Sequence, residues 1–173
     1  SDAKENEVRT LAVNLNAFNA VMRDLFQLRW VDPIPLTVMA FKEGDLYREI
    51  MPGRGVVGYF TGFGSEDMIA MYMMQTRTID PVRIMFHEYT HSLTSSAQVE
   101  WPIWLREGVA EVYSTFALED NKVVLGIPIK ENVMALRSRG LIPIRNLIKQ
   151  FPKGHDLPDA TQFYAQAWAL THY

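Results

Sequence analysis

The stretch Ile84-Met85-Phe86-His87-Glu88-Tyr89-Thr90-His91-Ser92-Leu93 constrains this chain more than any other. Asp80 and Pro81 stand just before it, the residue types preferred for an N-cap and a first helical position, so a helix is expected to begin there. On a helix, positions four apart share a face, with Cβ atoms ~5–6 Å apart. His87 and His91 can therefore grip one ion, and neutral imidazole is a good zinc ligand. Val82, Ile84, Met85, Phe86, Tyr89 and Leu93 make the same helix apolar on most sides. Two histidines in such a setting need polar partners, and a metal provides one. Glu88 follows His87 directly, where a carboxylate reaches a metal-bound water without ligating the metal. Tyr89, inside the motif, is expected to pack.

A zinc site built this way needs a third protein ligand from a neighbouring element. The chain has four histidines, and the other two, His155 and His172, lie far downstream. His155 is a candidate but sits in a stretch with no supporting pattern. Residues 101–116, WPIWLREGVAEVYSTF, offer Glu107 and Glu111, again four apart on one helix face. Two solvated carboxylates on a helix surface would look the same. The upstream histidines and the surrounding Trp101, Trp104, Val109, Val112, Tyr113 and Phe116 favour Glu107 as the third ligand. Gly108 costs a helix about 1 kcal/mol relative to alanine, which suggests a packing or functional reason. The expectation is that Gly108 and Ala110 narrow this helix and let it approach the histidine helix closely.

The rest of the chain frames these two helices. Val8, Leu11, Leu15, Phe18, Met22, Leu25 and Phe26 recur at three- and four-residue steps and predict a helix over 8–26. LTVMAF at 36–41 reads as a strand, KEGDLYREIM as a helical turn or short helix closed by PGRG, and VVGYFTGF and DMIAMYMM as two strands around a turn. The second motif helix is expected from Trp101 and Pro102 to about Leu118. NKVVLGIPI reads as a strand, ENVMALRSRG as a helix closed by Gly140, and IRNLIKQF and ATQFYAQAWALTHY as two further helices, with GHDLPD as a loop between them. There is no internal repeat and no linker, so 173 residues are most simply one domain. The chain begins at Ser1 and ends at Tyr173 inside an expected helix, which reads as a piece cut from something longer. A net charge of −3 gives no reason to propose nucleic acid as partner. With no cysteine, disulfides and thiolate metal sites are excluded. No apolar run approaches the ~20 residues that span a membrane. The nine methionines are read as core filler.

HEYTH followed by WLREGVAEVY resembles the gluzincin metallopeptidases, the thermolysin-like part of the peptidase MA clan. More narrowly it is similar to small peptidase-MA-like bacterial families whose second motif reads W-x-x-E-G-x-A-E. The resemblance implies that His87, His91 and Glu107 are zinc ligands and Glu88 the general base. It implies that Glu111 orients a zinc histidine from outside the metal's immediate ligands. It implies a mixed sheet over the histidine helix, with DMIAMYMM as the edge strand that pairs with an extended peptide. A hydroxyl or imidazole must also steady the oxyanion. Tyr164 leads among Tyr164, His155, His172 and Tyr173, because the resembling families carry a tyrosine in a downstream helix of the YAQAWAL type. The glycine-rich exopeptidase motif of the aminopeptidase branch is absent in recognisable form. GFGSED is the nearest stretch, with Glu66 as its amine-binding candidate.

The expected fold is α+β and zincin-like: a small mixed sheet packed on an active-site helix, with further helices towards the C-terminus. The expected function is zinc-dependent peptide-bond hydrolysis, with a peptide or protein as substrate. The alternative is a zincin-fold module that binds peptides or proteins without turnover. A third reading keeps the metal only as a brace between two helices.

Overall fold

The computed structural model describes residues 2–28, 34–51, 56–62, 64–76, 80–95, 101–120, 122–149 and 159–173. It is a mixed α and β protein of seven helices and two small sheets among those residues. The chain divides into two compact units, Ser1–Ser96 and Ala97–Tyr173.

In the first unit, helix α1 (Glu5–Leu25) starts three residues earlier than the apolar periodicity predicts. Glu7 extends it by accepting from the backbone N–H of Lys4 at 2.9 Å. Its apolar face is narrower than expected, since Leu11, Phe18 and Met22 are buried while Val8 and Leu25 are largely exposed. Strand β1 (Leu36–Phe41), helix α2 (Gly44–Ile50), strand β2 (Gly58–Gly62), strand β3 (Asp67–Tyr72) and helix α3 (Pro81–Ser95) follow. The three strands form one mixed sheet in the order β1-β3-β2, with β1 parallel to β3 and β2 antiparallel to it.

That order corrects one expectation. DMIAMYMM supplies β3, which is paired on both sides and is the central strand, not an edge. Its residues explain why. Ile69, Ala70 and Met71 are completely buried, as a strand covered on both faces and both edges requires. Among the described residues the edges are β1 and β2.

Side chains alternate across the pleat, and each face of β3 has its own cover. The Asp67 carboxylate accepts from the Ser92 hydroxyl of α3, so Asp67, Ile69 and Met71 face that helix. Ala70 and Tyr72 face the other way and pack with Phe41 and Tyr47 of β1 and α2. On the far side of α3, Phe18 of α1 stacks on Phe86 with ring centroids 4.4 Å apart. Tyr89 meets Phe18 edge-on and donates to Asn19 Oδ1 at 2.8 Å, so this residue inside the motif does pack.

In the second unit, helix α4 (Ile103–Tyr113) ends five residues before the expected Leu118. Ser114 and Thr115 donate their hydroxyls back to the carbonyls of Glu111 and Val112, which competes with continuing the helix. The chain turns into the hairpin of β4 (Ala117–Glu119) and β5 (Lys122–Val124). The strand expected over NKVVLGIPI is therefore only three residues long, and Gly126, at φ +71°, lies just beyond it. Helix α5 (Lys130–Arg139) ends at Gly140 as expected, also at φ +71°. Helix α6 (Ile144–Ile148) is one short turn, and α7 (Ala160–His172) closes the chain. Asp159 caps α7 by accepting from the N–H of Gln162. Gln166 of α7 clamps the preceding loop, accepting from the N–H of Ile142 and donating to its carbonyl at 2.7 Å each.

Gly108 explains how α4 sits in this unit. A Cβ there would stand 2.1 Å from Thr171 Oγ1 and 2.5 Å from the Ala167 carbonyl oxygen. The close approach that needs this glycine is therefore α4 against α7.

Candidate functional site

Helix α3 begins as the residues demand. Asp80 Oδ1 accepts from the N–H of Val82 at 2.9 Å, and Pro81 occupies the first turn, where its missing N–H costs nothing. Most of the helix is then buried, Met85, Phe86, Tyr89, Thr90, Ser92, Leu93 and Thr94 among them. Thr90 and Thr94 satisfy their hydroxyls on carbonyls one turn back. The half-buried positions Ile84, His87, Glu88 and His91 recur at three- and four-residue steps and so share one stripe of the helix.

On that stripe the two imidazoles converge. His87 Nε2 and His91 Nε2 lie 3.2 Å apart, with ring planes at 86°. Two nitrogens each ~2.0–2.1 Å from one tetrahedral ion would stand roughly 3.3 Å from one another. The pair therefore fits a zinc ion without rearrangement. The same distance also serves a single N–H···N bond between the rings.

Glu88 lies under the sheet. Its Oε1 and Cγ approach the Cα of Gly58 on β2 so closely that a Cβ there would stand 2.8 and 3.0 Å from them. Its carboxylate is felt by Tyr47, whose hydroxyl burial pushes well above the ordinary phenol range and the Glu88 charge pushes further. The Tyr47 hydroxyl is buried and has no hydrogen-bond partner among the described residues.

The second unit carries the two glutamates. Glu107 is 7% exposed, and its Oε1 has the Arg106 guanidinium at 3.4 Å. Glu111 is half-buried and its Oε2 accepts from Asn132 Nδ2 of α5 at 3.0 Å. Tyr164 is half-buried on α7, edge-on to Phe163 at 5.7 Å. His172 packs on Trp168 at 5.3 Å, Tyr173 is exposed, and His155 lies outside the described residues. Glu66 is exposed in the turn between β2 and β3.

Gly58, Asp67, Ser92, Tyr47 and Asn132 were not singled out in the sequence. Gly58 had a readable signal, a glycine at the start of an apolar strand, for which a close backbone approach is one reason. Asn132 had none, because its link to Glu111 spans 21 residues.

Compared with known proteins, the chain matches no family model, no curated protein and no solved structure. No helix among the described residues is long and apolar enough to cross a membrane.

Proposed function

We propose that this protein is a zinc-dependent metallopeptidase of the gluzincin kind, on a zincin-like fold. The observation that carries the reading is the 3.2 Å approach of His87 Nε2 and His91 Nε2, with Glu88 on the same half-buried stripe. His87, His91 and Glu107 can each offer one ligand atom to a metal ion, and two imidazoles with one carboxylate are a donor set that zinc takes in hydrolases. Zinc, when bound, supplies Lewis acidity, which brings the pKa of water towards ~7 and polarises a carbonyl.

The chain's own residues do the rest. Glu88 accepts a proton from the attacking water as the water oxygen bonds to the scissile carbonyl carbon. It then gives that proton to the departing nitrogen as the C–N bond breaks, so one water is consumed per peptide bond. Tyr164 is assigned the hydroxyl that donates to the oxygen as it gains charge. Glu111, held by Asn132, is assigned the orientation of a ligating histidine.

Strand β2 is assigned the peptide-docking edge, in place of β3. The N–H of Tyr72 donates to Val57 at 2.9 Å, so Val57 and Tyr72 form a hydrogen-bonded pair. By alternation along an antiparallel ladder, Gly58, Phe60 and Gly62 turn their N–H and C=O groups away from β3, towards the open edge. An extended peptide paired there would run past Glu88.

The test is digestion of a mixed peptide library by the full-length protein, with and without chelator. Chelator-sensitive cleavage is the expected result. A protein that holds zinc, keeps a water-accessible fourth position and cuts nothing in a broad library would be a peptide-binding module instead.

A further inference from the structure

The edge strand has no side chain where it rests on the proposed base. A Cβ on Gly58 would stand 2.4 Å from Ile84 Cγ2, 2.8 Å from Glu88 Oε1 and 3.0 Å from Glu88 Cγ. The backbone conformation does not ask for glycine at this position, since among the described residues the glycines with positive φ are Gly64, Gly126 and Gly140. Glycine offers a strand no side chain to pack, so what requires it here is space. The space is taken by two residues one turn apart on α3. Ile84 sets how high the strand lies above the helix, and Glu88 fills the gap with its carboxylate.

We infer that Gly58 is a positioning residue for Glu88, a role that rests on the metallopeptidase reading. The bare Cα closes one side of the Glu88 carboxylate and limits the torsions open to it. The same residue turns its N–H and C=O to the open edge of the sheet. One glycine thus fixes the base and a docking group at one point of the strand. Any side chain at 58 must either lift β2 from α3 or drive the carboxylate aside. A misplacement of about 1 Å in a catalytic group can cost on the order of 100-fold in rate.

Gly58→Ala alone meets Ile84 as well and can fail to fold, so the informative variant is Gly58→Ala/Ile84→Ala, read against Ile84→Ala. The double variant should keep the melting temperature and zinc content of Ile84→Ala. Its kcat should fall about 100-fold below that of Ile84→Ala, with KM unchanged. A crystal structure of the metal-free double variant should show the Glu88 carboxylate displaced from its place under β2. The role is overturned if the double variant cleaves with the kcat of Ile84→Ala, or if Glu88 keeps its torsions beside alanine at 58. If the wild type cuts no peptide, the hydrolase reading fails by itself. The crystal structure then decides the positioning role alone, displacement upholding it and an unmoved Glu88 ending it.

Discussion

His87 and His91 face one another through their Nε2 atoms, 3.2 Å apart and one helical turn apart on α3. That separation matches the bite of a tetrahedral ion, so the purified protein should carry about one zinc per chain. His87→Ala or His91→Ala should abolish zinc retention during mild chelation, and Glu107→Ala should weaken it, as read by elemental analysis. Full retention in Glu107→Ala with loss in His155→Ala would move the third ligand to His155.

Glu88→Gln keeps the size of the side chain and removes its basicity. Zinc content should be unchanged, and peptide hydrolysis should fall by at least the ~10²–10⁴-fold expected for a lost acid–base group. Equal cleavage by wild type and variant, at matched zinc content, would rule out Glu88 as the base.

Asn132 donates to Glu111 at 3.0 Å, which holds that carboxylate in one orientation. Glu111→Ala should lower metal affinity or activity by roughly 10–100-fold, the range for groups that orient a ligand without touching the metal. Asn132→Ala should shift it in the same direction by less. Competition with a fluorescent chelator reads both, and wild-type affinity in Glu111→Ala would refute the assignment.

Gly108→Ala should destabilise the protein although alanine favours helix by about 1 kcal/mol. The added methyl meets Thr171 Oγ1 and the Ala167 carbonyl of α7, and overpacking of this kind costs typically ~1–3 kcal/mol. Thr171→Ala in the same chain should recover only part of the loss, because the Ala167 backbone remains in place. Urea denaturation distinguishes this from a gain in stability, which would mean that α4 and α7 separate freely.

Three tyrosines, Tyr47, Tyr89 and Tyr113, are pushed above the ordinary phenol range, in each case first by burial. Below pH ~10 they are protonated whether the chain is folded or not, and their contribution to stability is fully present. Above pH ~10 the unfolded chain ionises them first, so stability should fall as pH rises further. Thermal melts from about pH 9 to about 11 should show the loss, together with a further rise in phenolate absorbance on unfolding. Tyr47→Phe should soften the fall. Its hydroxyl is buried without a partner, a state that costs ~1–3 kcal/mol, so this variant should also be at least as stable as the wild type at neutral pH.

The sequence by itself determined what is local. The spacing of His87 and His91 places both rings on one stripe of any helix that forms there. Asp80 and Pro81 start that helix, Asp159 starts α7, and Gly140 ends α5, because each acts on backbone groups within one turn of itself. The strand over LTVMAF was also legible to the residue, from its short apolar run. Tertiary structure decided what depends on distant neighbours. Asp67–Tyr72 is apolar enough for either an edge or a centre, and only its pairing with both β1 and β2 makes it central. Gly108 was legible as a close approach, but nothing nearby in sequence says that Ala167 and Thr171 are what it approaches. The end of α4 at Tyr113 depends on hydroxyls that turn back on their own helix and on the hairpin that follows. Gly58 joins the two levels. Its lack of a side chain is written in the sequence, and the carboxylate that fills the space arrives from a helix 30 residues away, through packing between strand and helix that no local pattern encodes.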